Sequence, residues 1–462
     1  MTRIGSVAEL RADMVGAVIQ PGDPGYDEAR SVWNGDIDRR PAAVARCASA
    51  ADVAAALAYA RDAGLEVAVR GGGHGYWGAA VPEGGLMIDL STMNRATVDV
   101  EARRVRCGGG ASLADLDAAT QEHGLAVTGG TISHTGVGGL TLGGGIGWLS
   151  RKCGLSIDNL VSAEVVLADG RVVRASAQEH PELFWALRGG GGNFGVVTEF
   201  EFRLHEVGPI VHLGLFFYEV DRCAAALRRG RDLIAGLPDD AGAMLVALDA
   251  PPAPFVPEEH HFARGVAVLV AGFGSAEEHA RLVAPLREAM PPLFELVTPL
   301  PYTELQSMLD DAAPWGSHAY TKALMLEDLP DAAIDVLAER LPSKTSPMTL
   351  VPIFALGGAY ARVGEDETAF GGSRAARFAL TMDAVAPDAE TLAVDRAWVR
   401  SLWEAMRPFA RNAGSYVNFM AEYEEDRVLA SYGRDKYDRL AAIKAEYDPG
   451  NLFHLNANIK PA

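Results

Sequence analysis

Short apolar runs and helix caps alternate along the first part of the chain. The run at residues 42–47 predicts a strand, and Ser49 after it is a typical N-cap for a helix whose apolar positions recur at helical spacing until Gly64. A second apolar run at residues 65–69 predicts another strand. The chain therefore opens with a strand, a helix and a strand, and the second strand runs directly into a loop of consecutive glycines.

The pattern continues in the same way to about residue 208. An apolar run with Asp169-Gly170 at its centre predicts a hairpin, because this dipeptide favours a tight turn. Residues 128–147 contain nine glycines in twenty positions, which disfavours both helix and strand and indicates backbone wrapped around a ligand. Further strands are predicted at residues 86–90, 97–100, 104–107 and 196–202, and helices at residues 112–122 and 182–188.

Beyond Pro209 the predicted elements become longer. They are amphipathic helices near residues 221–236, 275–289, 329–341 and 388–410, interleaved with strands at 212–219, 265–271, 348–356 and 375–382. This texture predicts a second α+β domain, in which helices cover one face of an antiparallel sheet. In the tail we expect a strand at 416–420 and an amphipathic helix at 432–444 that needs a partner surface.

Composition narrows the class of protein. A chain of 462 residues is long enough for two or three domains. Its 61 acidic and 41 basic residues give a net charge of −20 without a basic block, so a nucleic-acid partner is not expected. No segment reaches the ~18 consecutive apolar residues of a membrane span, and the N-terminus lacks a signal-peptide pattern, so we expect a cytoplasmic protein without membrane attachment. The four cysteines show no disulfide or metal spacing, and no metal site is predicted.

The loop after the strand at residues 65–69 is the first candidate for chemistry. Three glycines, Gly71 to Gly73, expose backbone N–H groups that can receive a pyrophosphate, and His74 follows them. Two segments, 73–78 and 190–195, match the spacing GxGxxG, but neither is followed by a predicted helix. A Rossmann site needs that helix, so a nicotinamide dehydrogenase ranks last.

Five motifs then occur in order along the chain. They are Arg-Gly-Gly-Gly-His at 70–74, Ser-His-Thr-Gly at 133–136, the run at 143–159, the run at 188–195, and Tyr-x-Asn at 416–418 together with Tyr-Asp-Pro-x-Asn-x-Phe at 447–453. In this combination the chain resembles the berberine-bridge-enzyme-like branch of the vanillyl-alcohol-oxidase/PCMH flavoproteins. The resemblance implies an α+β fold with a two-subdomain FAD-binding domain at 1–208, an inserted substrate domain with an antiparallel sheet and helices at 209–410, and a segment at 411–462 that completes the FAD domain.

The resemblance also implies how FAD is held. His74 would bond through a ring nitrogen to the 8α-methyl carbon of the flavin, and Cys153 through its sulfur to ring carbon 6. Two alternatives stay open: His74 as a loop histidine that only hydrogen-bonds a phosphate, and Cys153 as a small buried hydrophobe, since relatives with the histidine link alone exist. The other residues expected to contact FAD are Arg70, Gly71, Gly72, Gly73, Gly75, His134, Thr135, Gly138, Gly139, Gly143, Gly144, Gly147, Asn193, Gly195, Val197, Tyr416 and Asn418.

Catalysis is assigned to the tail. By resemblance Tyr416 takes the substrate hydroxyl proton, and in the expected strand Asn418 shares its face. A phenol has a pKa near ~10, so this role requires a neighbour that lowers it, and the sequence does not identify one. The alternative is a buried tyrosine with a satisfied hydroxyl group. Tyr360 is a second candidate for an acid/base residue. The alternative is that Tyr360 is an ordinary aromatic residue of a strand.

The expected activity is that of an FAD-dependent oxidase. It would move a hydride from a carbinol or hemiacetal carbon of a sugar or natural-product hydroxyl group to flavin N5, with O2 reduced to hydrogen peroxide. Two alternatives remain: oxidative cyclisation, desaturation or oxygenation of a polyketide-like metabolite, and a noncatalytic flavin- or carbohydrate-binding protein. The expected partners are a small-molecule substrate and O2, and the expected assembly is a monomer or homodimer.

Overall fold

The computed structural model describes residues 6–288, 290–410, 416–423 and 425–462. The N-terminal part contains a four-stranded mixed sheet, whose last three strands are parallel to one another. In spatial order its strands are Ala17–Ile19, Ala43–Arg46, Leu86–Asp89 and Val67–Arg70. The helix Ala50–Ala63 begins at Ser49, whose side chain accepts the Asp52 N–H, and ends at Gly64 in the left-handed conformation, as predicted. A short helix, Val7–Asp13, precedes the sheet.

An antiparallel five-stranded sheet follows. In spatial order its strands are Ala96–Asp99, Arg104–Gly108, Val196–Arg203, Leu160–Val166 and Val172–Ser176. The helices that accompany it are Leu113–Gln121, Pro181–Leu187 and, from the tail, Glu425–Tyr432 and Arg434–Tyr447. Leu440 and Ile443 of the last helix pack in one apolar cluster with Val105 and Phe200, so the partner surface that the tail helix requires is this sheet.

The third unit is a seven-stranded antiparallel sheet. In spatial order its strands are Phe294–Pro301, Ile210–Glu219, Arg264–Gly272, Ala241–Asp249, Val351–Ala355, Phe378–Ala386 and His318–Leu326. One face packs against the helices Cys223–Ala235, Ala276–Glu288, Asp331–Arg340 and Ala389–Met406. The other face packs against the glycine-rich part of the chain, where Trp148 and Leu149 contact apolar residues such as Leu213 and Met244.

Shorter elements connect these units. The short α-helices are Tyr26–Arg30, Val137–Gly143, Ser150–Cys153, Tyr302–Ser307 and Ala359–Arg362. The 3-10 helices are Ser156–Asn159, Val220–Arg222, Glu258–His260, Asp310–Ala312, Leu341–Ser343, Arg407–Phe409 and Val417–Phe419. A two-stranded pair joins Leu125–Ala126 to His205–Glu206. None of the helices in the described ranges combines the length and apolar composition that a bilayer span needs.

The predicted α+β architecture is confirmed, including the antiparallel sheet with helices on one face. The local structure differs from the predicted elements in two respects. The three strands Ala241–Asp249, Phe294–Pro301 and His318–Leu326 were not predicted; the first is a continuous apolar run, which does not show strand alternation. In place of the tail strand expected at 416–420, Val417–Phe419 forms a 3-10 helix. The domain boundaries at 208 and 410 stay predictions.

Candidate active site

A cavity of about 340 Å³ lies where the glycine-rich loops, the tail and the seven-stranded sheet meet. Its glycine wall is formed by Gly71 to Gly73 and Gly75, by Gly136, Gly138 and Gly139, and by Gly191, Gly192 and Gly195. Among the described residues that line the cavity there is no Asp, Glu, Lys or Arg. Any ligand charge must therefore be met by backbone groups rather than by side-chain ions.

Two glycine loops touch backbone to backbone on this wall. A Cβ on Gly72 would lie 2.3 Å from the nitrogen of Gly136, and a Cβ on Gly136 would lie 2.2 Å from the nitrogen of Gly72. Real Cβ atoms do not approach that closely, so both positions require glycine. The contact joins the loop that follows strand Val67–Arg70 to the start of helix Val137–Gly143.

The loop at 71–75 leaves its backbone donors available. Within the described part of the chain, the N–H groups of these five residues donate to no acceptor. A run of unpaired N–H groups in a concave glycine loop suits an anion, and the absence of nearby carboxylates removes repulsion. The residues present thus fit the diphosphate of the FAD that the sequence motifs imply.

His74 is held in one orientation beside this loop. Its ring stacks on Trp33, with centroids 5.0 Å apart and planes 15° from parallel. The Trp33 N–H donates to the Gly73 carbonyl at 3.0 Å, and its indole N–H donates to the Ala313 carbonyl at 2.8 Å. The Nε2 atom of His74 lies 2.6 Å from Nδ1 of His134. Burial of the ring and the neighbouring His134 lower the pKa of His74 to about 3, so His74 is a neutral imidazole at physiological pH.

Tyr416 lines the same cavity, and its phenol oxygen accepts hydrogen bonds from amide donors. The Gly145 N–H donates to it at 2.6 Å and the Nδ2 group of Asn418 at 2.7 Å. The same Asn418 amide donates to the Leu140 carbonyl at 2.9 Å, which fixes its orientation. The 3-10 helix Val417–Phe419 brings the two side chains together, in place of the shared strand face that was expected.

These donors are the neighbours that the sequence did not identify. Burial is the largest influence and raises the pKa of Tyr416, while hydrogen bonds from Gly145, Asn418 and the Ile146 N–H lower it. Oriented amide dipoles stabilise a phenolate without a formal charge in the pocket. The groups that oppose the effect of burial on the pKa of Tyr416 are therefore amides of the backbone and of Asn418.

Aromatic side chains form another part of the cavity surface. This aromatic wall consists of Tyr76, Phe354, Tyr416, Phe419 and Tyr423. Phe354 and Phe419 stack with centroids 6.1 Å apart, and Tyr416 meets Phe419 edge-on at 4.8 Å. Apart from Tyr416, none of these residues was predicted from the sequence. Tyr76 follows His74 by two positions and Tyr423 lies in the tail, but Phe354 comes from the seven-stranded sheet.

The structure brings most of the predicted cofactor contacts to the cavity. The predicted residues that line it are Gly71, Gly72, Gly73, His74, Gly75, Thr135, Gly138, Gly139, Gly195, Val197, Tyr416 and Asn418. His134 stands behind His74 and contacts it directly. The predicted residues absent from the lining are Arg70, Gly143, Gly144, Gly147, Cys153, Asn193 and Tyr360.

The position of Cys153 differs from the one that a bond to the flavin would require. Its side chain is buried in an apolar cluster with Trp148, Leu149 and Tyr302, between the glycine-rich region and the seven-stranded sheet, and it is not among the residues that line the cavity. Burial raises the pKa of the thiol to about 12, so the thiolate that a bond to the flavin needs is disfavoured. The structure therefore favours the alternative in which Cys153 is a small buried hydrophobe.

Tyr360 also lies elsewhere. It is fully buried in helix Ala359–Arg362, and its hydroxyl group donates to the Ser373 carbonyl. Its ring packs edge-on against Phe370, on the far side of which lies Tyr416. It packs in one apolar cluster with Phe370 and Tyr416 and lies outside the cavity lining, so it is not placed to act as an acid or base on a ligand there.

Other predicted contacts act on the cavity from behind. A Cβ on Gly143 would lie 2.1 Å from Oδ1 of Asn418, and one on Gly147 would lie 1.8 Å from the Gly129 carbonyl oxygen, so these glycines allow close packing. A Cβ on Gly144 would likewise lie 2.9 Å from ring atoms of Phe370 and of Tyr416.

Asn193 and Arg70 hold neighbouring loops in place. The buried Asn193 amide donates to the carbonyl groups of Gly190 and Ala457 and accepts the Ile459 N–H, which ties the loop at 190–195 to the tail. Arg70 donates to the Ala29 carbonyl at 2.7 Å and points away from the cavity surface.

Comparison with known proteins adds independent findings. Family models described as "FAD binding domain" and "Berberine and berberine like" match residues 41–176 and 415–460. An (R)-6-hydroxynicotine oxidase of Paenarthrobacter nicotinovorans is 33% identical over 468 aligned positions, which cover 96% of this chain and 97% of that protein.

Solved structures are similar to this chain over nearly its whole length. The crystal structure of 6-hydroxy-D-nicotine oxidase from Arthrobacter nicotinovorans matches with a TM-score of 0.85 and 30% identity, covering 97% of this chain and 98% of that one. A glucooligosaccharide oxidase from Acremonium strictum, described with a 6-S-cysteinyl, 8α-N1-histidyl FAD, matches with a TM-score of 0.84 and 24% identity over 98% and 99% of the two chains.

The contact between the two glycine loops predicts the effect of a single methyl group. Gly72→Ala forces the loops apart, so we expect the purified variant to contain much less flavin and to unfold more easily, with overpacking of this kind costing roughly 1–3 kcal/mol. Flavin absorbance per protein and chemical denaturation measure both effects. The matched control is Gly450→Ala, because a Cβ there meets nothing within 4 Å. Equal flavin content in the two variants would contradict the assignment of the cradle.

Proposed function

The chain belongs to the berberine-bridge-enzyme-like family of FAD-linked oxidoreductases, and from this premise we propose that it is an oxidase of uncharged hydroxyl compounds. It removes a hydride from a carbinol or hemiacetal carbon and uses O2 as the final acceptor. The observation that carries the proposal is the phenol oxygen of Tyr416, which lies on the cavity wall and accepts hydrogen bonds from Gly145 and Asn418.

Tyr416 acts as the base in this proposal. FAD, held by the glycine loops and His74, would supply the hydride acceptor and the route for two electrons to O2. The phenolate of Tyr416 takes the hydroxyl proton of the substrate as the C–H bond breaks, and the amide donors of Gly145 and Asn418 stabilise the negative charge before that transfer. Asn418 orients the phenol oxygen through its second hydrogen bond to Leu140 and is a positioning residue.

The cavity supports a neutral substrate. A cationic amine or a carboxylate would meet no opposite charge among the described residues of the lining, which therefore would not replace its lost hydration. The aromatic wall offers flat apolar surfaces on which a sugar ring or a polyketide ring can stack. These features favour an uncharged sugar or natural-product hydroxyl over a charged amine or acid.

FAD attachment through His74 is also part of the proposal. The support is the position of His74 on the cavity wall, at the end of the loop whose N–H groups suit the diphosphate. Cys153 is not proposed as a second attachment point. A single bond through the histidine, with the glycine cradle around the nucleotide, is the arrangement that fits the described residues.

The substrate class is tested by anaerobic reduction of the bound flavin. We expect neutral oligosaccharides or hydroxylated polycyclic compounds to bleach the flavin absorbance, and the cationic amine 6-hydroxynicotine to leave it unchanged. Admitting air should then restore the absorbance and produce one hydrogen peroxide per turnover. Reduction by 6-hydroxynicotine but by none of the neutral hydroxyl compounds would overturn the assignment of the substrate.

Tyr416→Phe removes the proposed base while keeping the ring against Phe370 and Phe419. We expect the hydride-transfer rate constant to fall by roughly 10²–10⁴-fold. Burial raises the pKa of Tyr416, so the phenolate fraction, and with it the wild-type rate, should rise steadily between about pH 6 and about pH 9. Stopped-flow reduction should show this slope in the wild type and in the matched control Tyr360→Phe, but not in Tyr416→Phe. A Tyr416→Phe variant with an unchanged rate would exclude the base.

The attachment is tested by mass spectrometry of peptides and by flavin fluorescence in a denaturing gel. We expect one flavin mass on the peptide that contains His74, and its loss in His74→Ala. Cys153→Ala should retain full labelling, because the Cys153 thiol is buried outside the cavity lining. A flavin mass that bridges the His74 and Cys153 peptides would show that the thiol reaches the flavin after all.

A further inference from the structure

The contact between two histidines carries an inference about how the flavin becomes attached. Nε2 of His74 and Nδ1 of His134 are 2.6 Å apart, so one of these nitrogens donates a hydrogen bond and the other accepts it. A neutral His74 carries a single ring proton. For Nδ1 of His74 to have a free lone pair, that proton must be on Nε2, and His134 must be the acceptor.

The environment of His74 leaves Nδ1 as the reactive nitrogen. Within the described residues, Nδ1 takes part in no hydrogen bond, whereas Nε2 is engaged by His134. Trp33 stacks on one face of the ring and Trp315 meets it edge-on with centroids 6.0 Å apart. The ring therefore cannot turn to exchange its two nitrogens without breaking the stack and the hydrogen bond.

We propose that His134 holds the proton of His74 on Nε2 and accepts it when Nδ1 of His74 forms its bond to the flavin methyl carbon. This inference rests on the attachment through His74 in the proposed function. His134 is then a positioning and proton-accepting residue for attachment, and it takes no part in substrate oxidation.

The chemistry balances with molecular oxygen as the oxidant. One C–H bond of the methyl group and one N–H bond of the imidazole are broken, and one C–N bond forms. The methyl carbon is oxidised by two electrons, which pass through the flavin ring system to O2. The methyl proton and the imidazole proton are the two protons of the resulting hydrogen peroxide. As the C–N bond forms, His74 would become cationic, and transfer of the Nε2 proton to His134 removes that charge.

The position of His134 suits this role. Its loop is anchored to the seven-stranded-sheet unit, because the backbone N–H and hydroxyl groups of Ser133 both donate to Asp310, at 2.7 and 2.5 Å. The His134 ring is only partly buried, and within the described residues its Nε2 atom has no hydrogen-bond partner. A proton accepted at Nδ1 can therefore leave to solvent from the opposite nitrogen.

Two substitutions separate the parts of the proposal. His134→Ala removes both the acceptor and the base, and we expect covalent attachment at least roughly 100-fold slower than in the wild type. His134→Asn keeps an acceptor oxygen near the place of Nδ1 but cannot take the proton, so its rate should lie between the two. The full-length chain from riboflavin-limited cells is incubated with FAD in air, and covalent flavin is followed by gel fluorescence and peptide mass. Non-covalently bound FAD, measured by absorbance, checks that each variant is folded, and the exposed His123→Ala is the matched control.

Each result decides between the claims. Attachment at the wild-type rate in His134→Ala overturns the inference alone, and a wild-type rate in His134→Asn overturns the proton acceptance. A wild-type protein without covalent flavin overturns the attachment through His74 and this inference with it. Slow attachment in both variants, with FAD still bound, supports it.

Discussion

The close approach of Gly72 and Gly136 is the constraint on which the site depends. It is possible only because neither residue has a Cβ, and it brings the loop of the mixed sheet against the loop that precedes helix Val137–Gly143. In this position the N–H groups at 71–75 have no partner among the described residues, and they face a cavity whose described lining contains no charged side chain. This arrangement suits an anionic dinucleotide, because backbone dipoles are fixed by the fold and do not titrate.

The same principle recurs at Tyr416, the proposed base. Tyr416 is buried, and its oxygen is supported by the amides of Gly145, Ile146 and Asn418 rather than by a lysine or arginine. Neutral donors stabilise an anion less than a cation does, but they leave the cavity free of a fixed charge that would select ionic substrates. The described lining without charged side chains and the tyrosine supported by amides thus share one feature, which is that neutral dipoles take the place of ionic groups.

The three sheets are joined at the site by specific contacts. Asn34 donates to the carbonyl groups of Tyr76 and Ala319 and accepts the Ala319 N–H, so it ties the loop of His74 to the seven-stranded sheet. Trp33 and Trp315 pack around His74 from the two sides of this junction. No pattern in the sequence singled out Trp33 and Asn34, because Ala313 and Ala319, to which they donate, lie 280 and 285 residues away along the chain.

The sequence by itself determined the local structure that periodicity and caps encode, and the order of motifs that carries the family. Ser49 and Gly64 bound their helix as predicted, and the glycine loops around His74 line the cavity. Tertiary structure alone decided which side chains reach it. Cys153 and Tyr360 stand in or near the expected motifs yet are buried elsewhere, whereas Phe354 enters from a distant strand. The physical reason is that motif spacing fixes the backbone path over a few residues, while access to a cavity depends on packing between segments hundreds of residues apart.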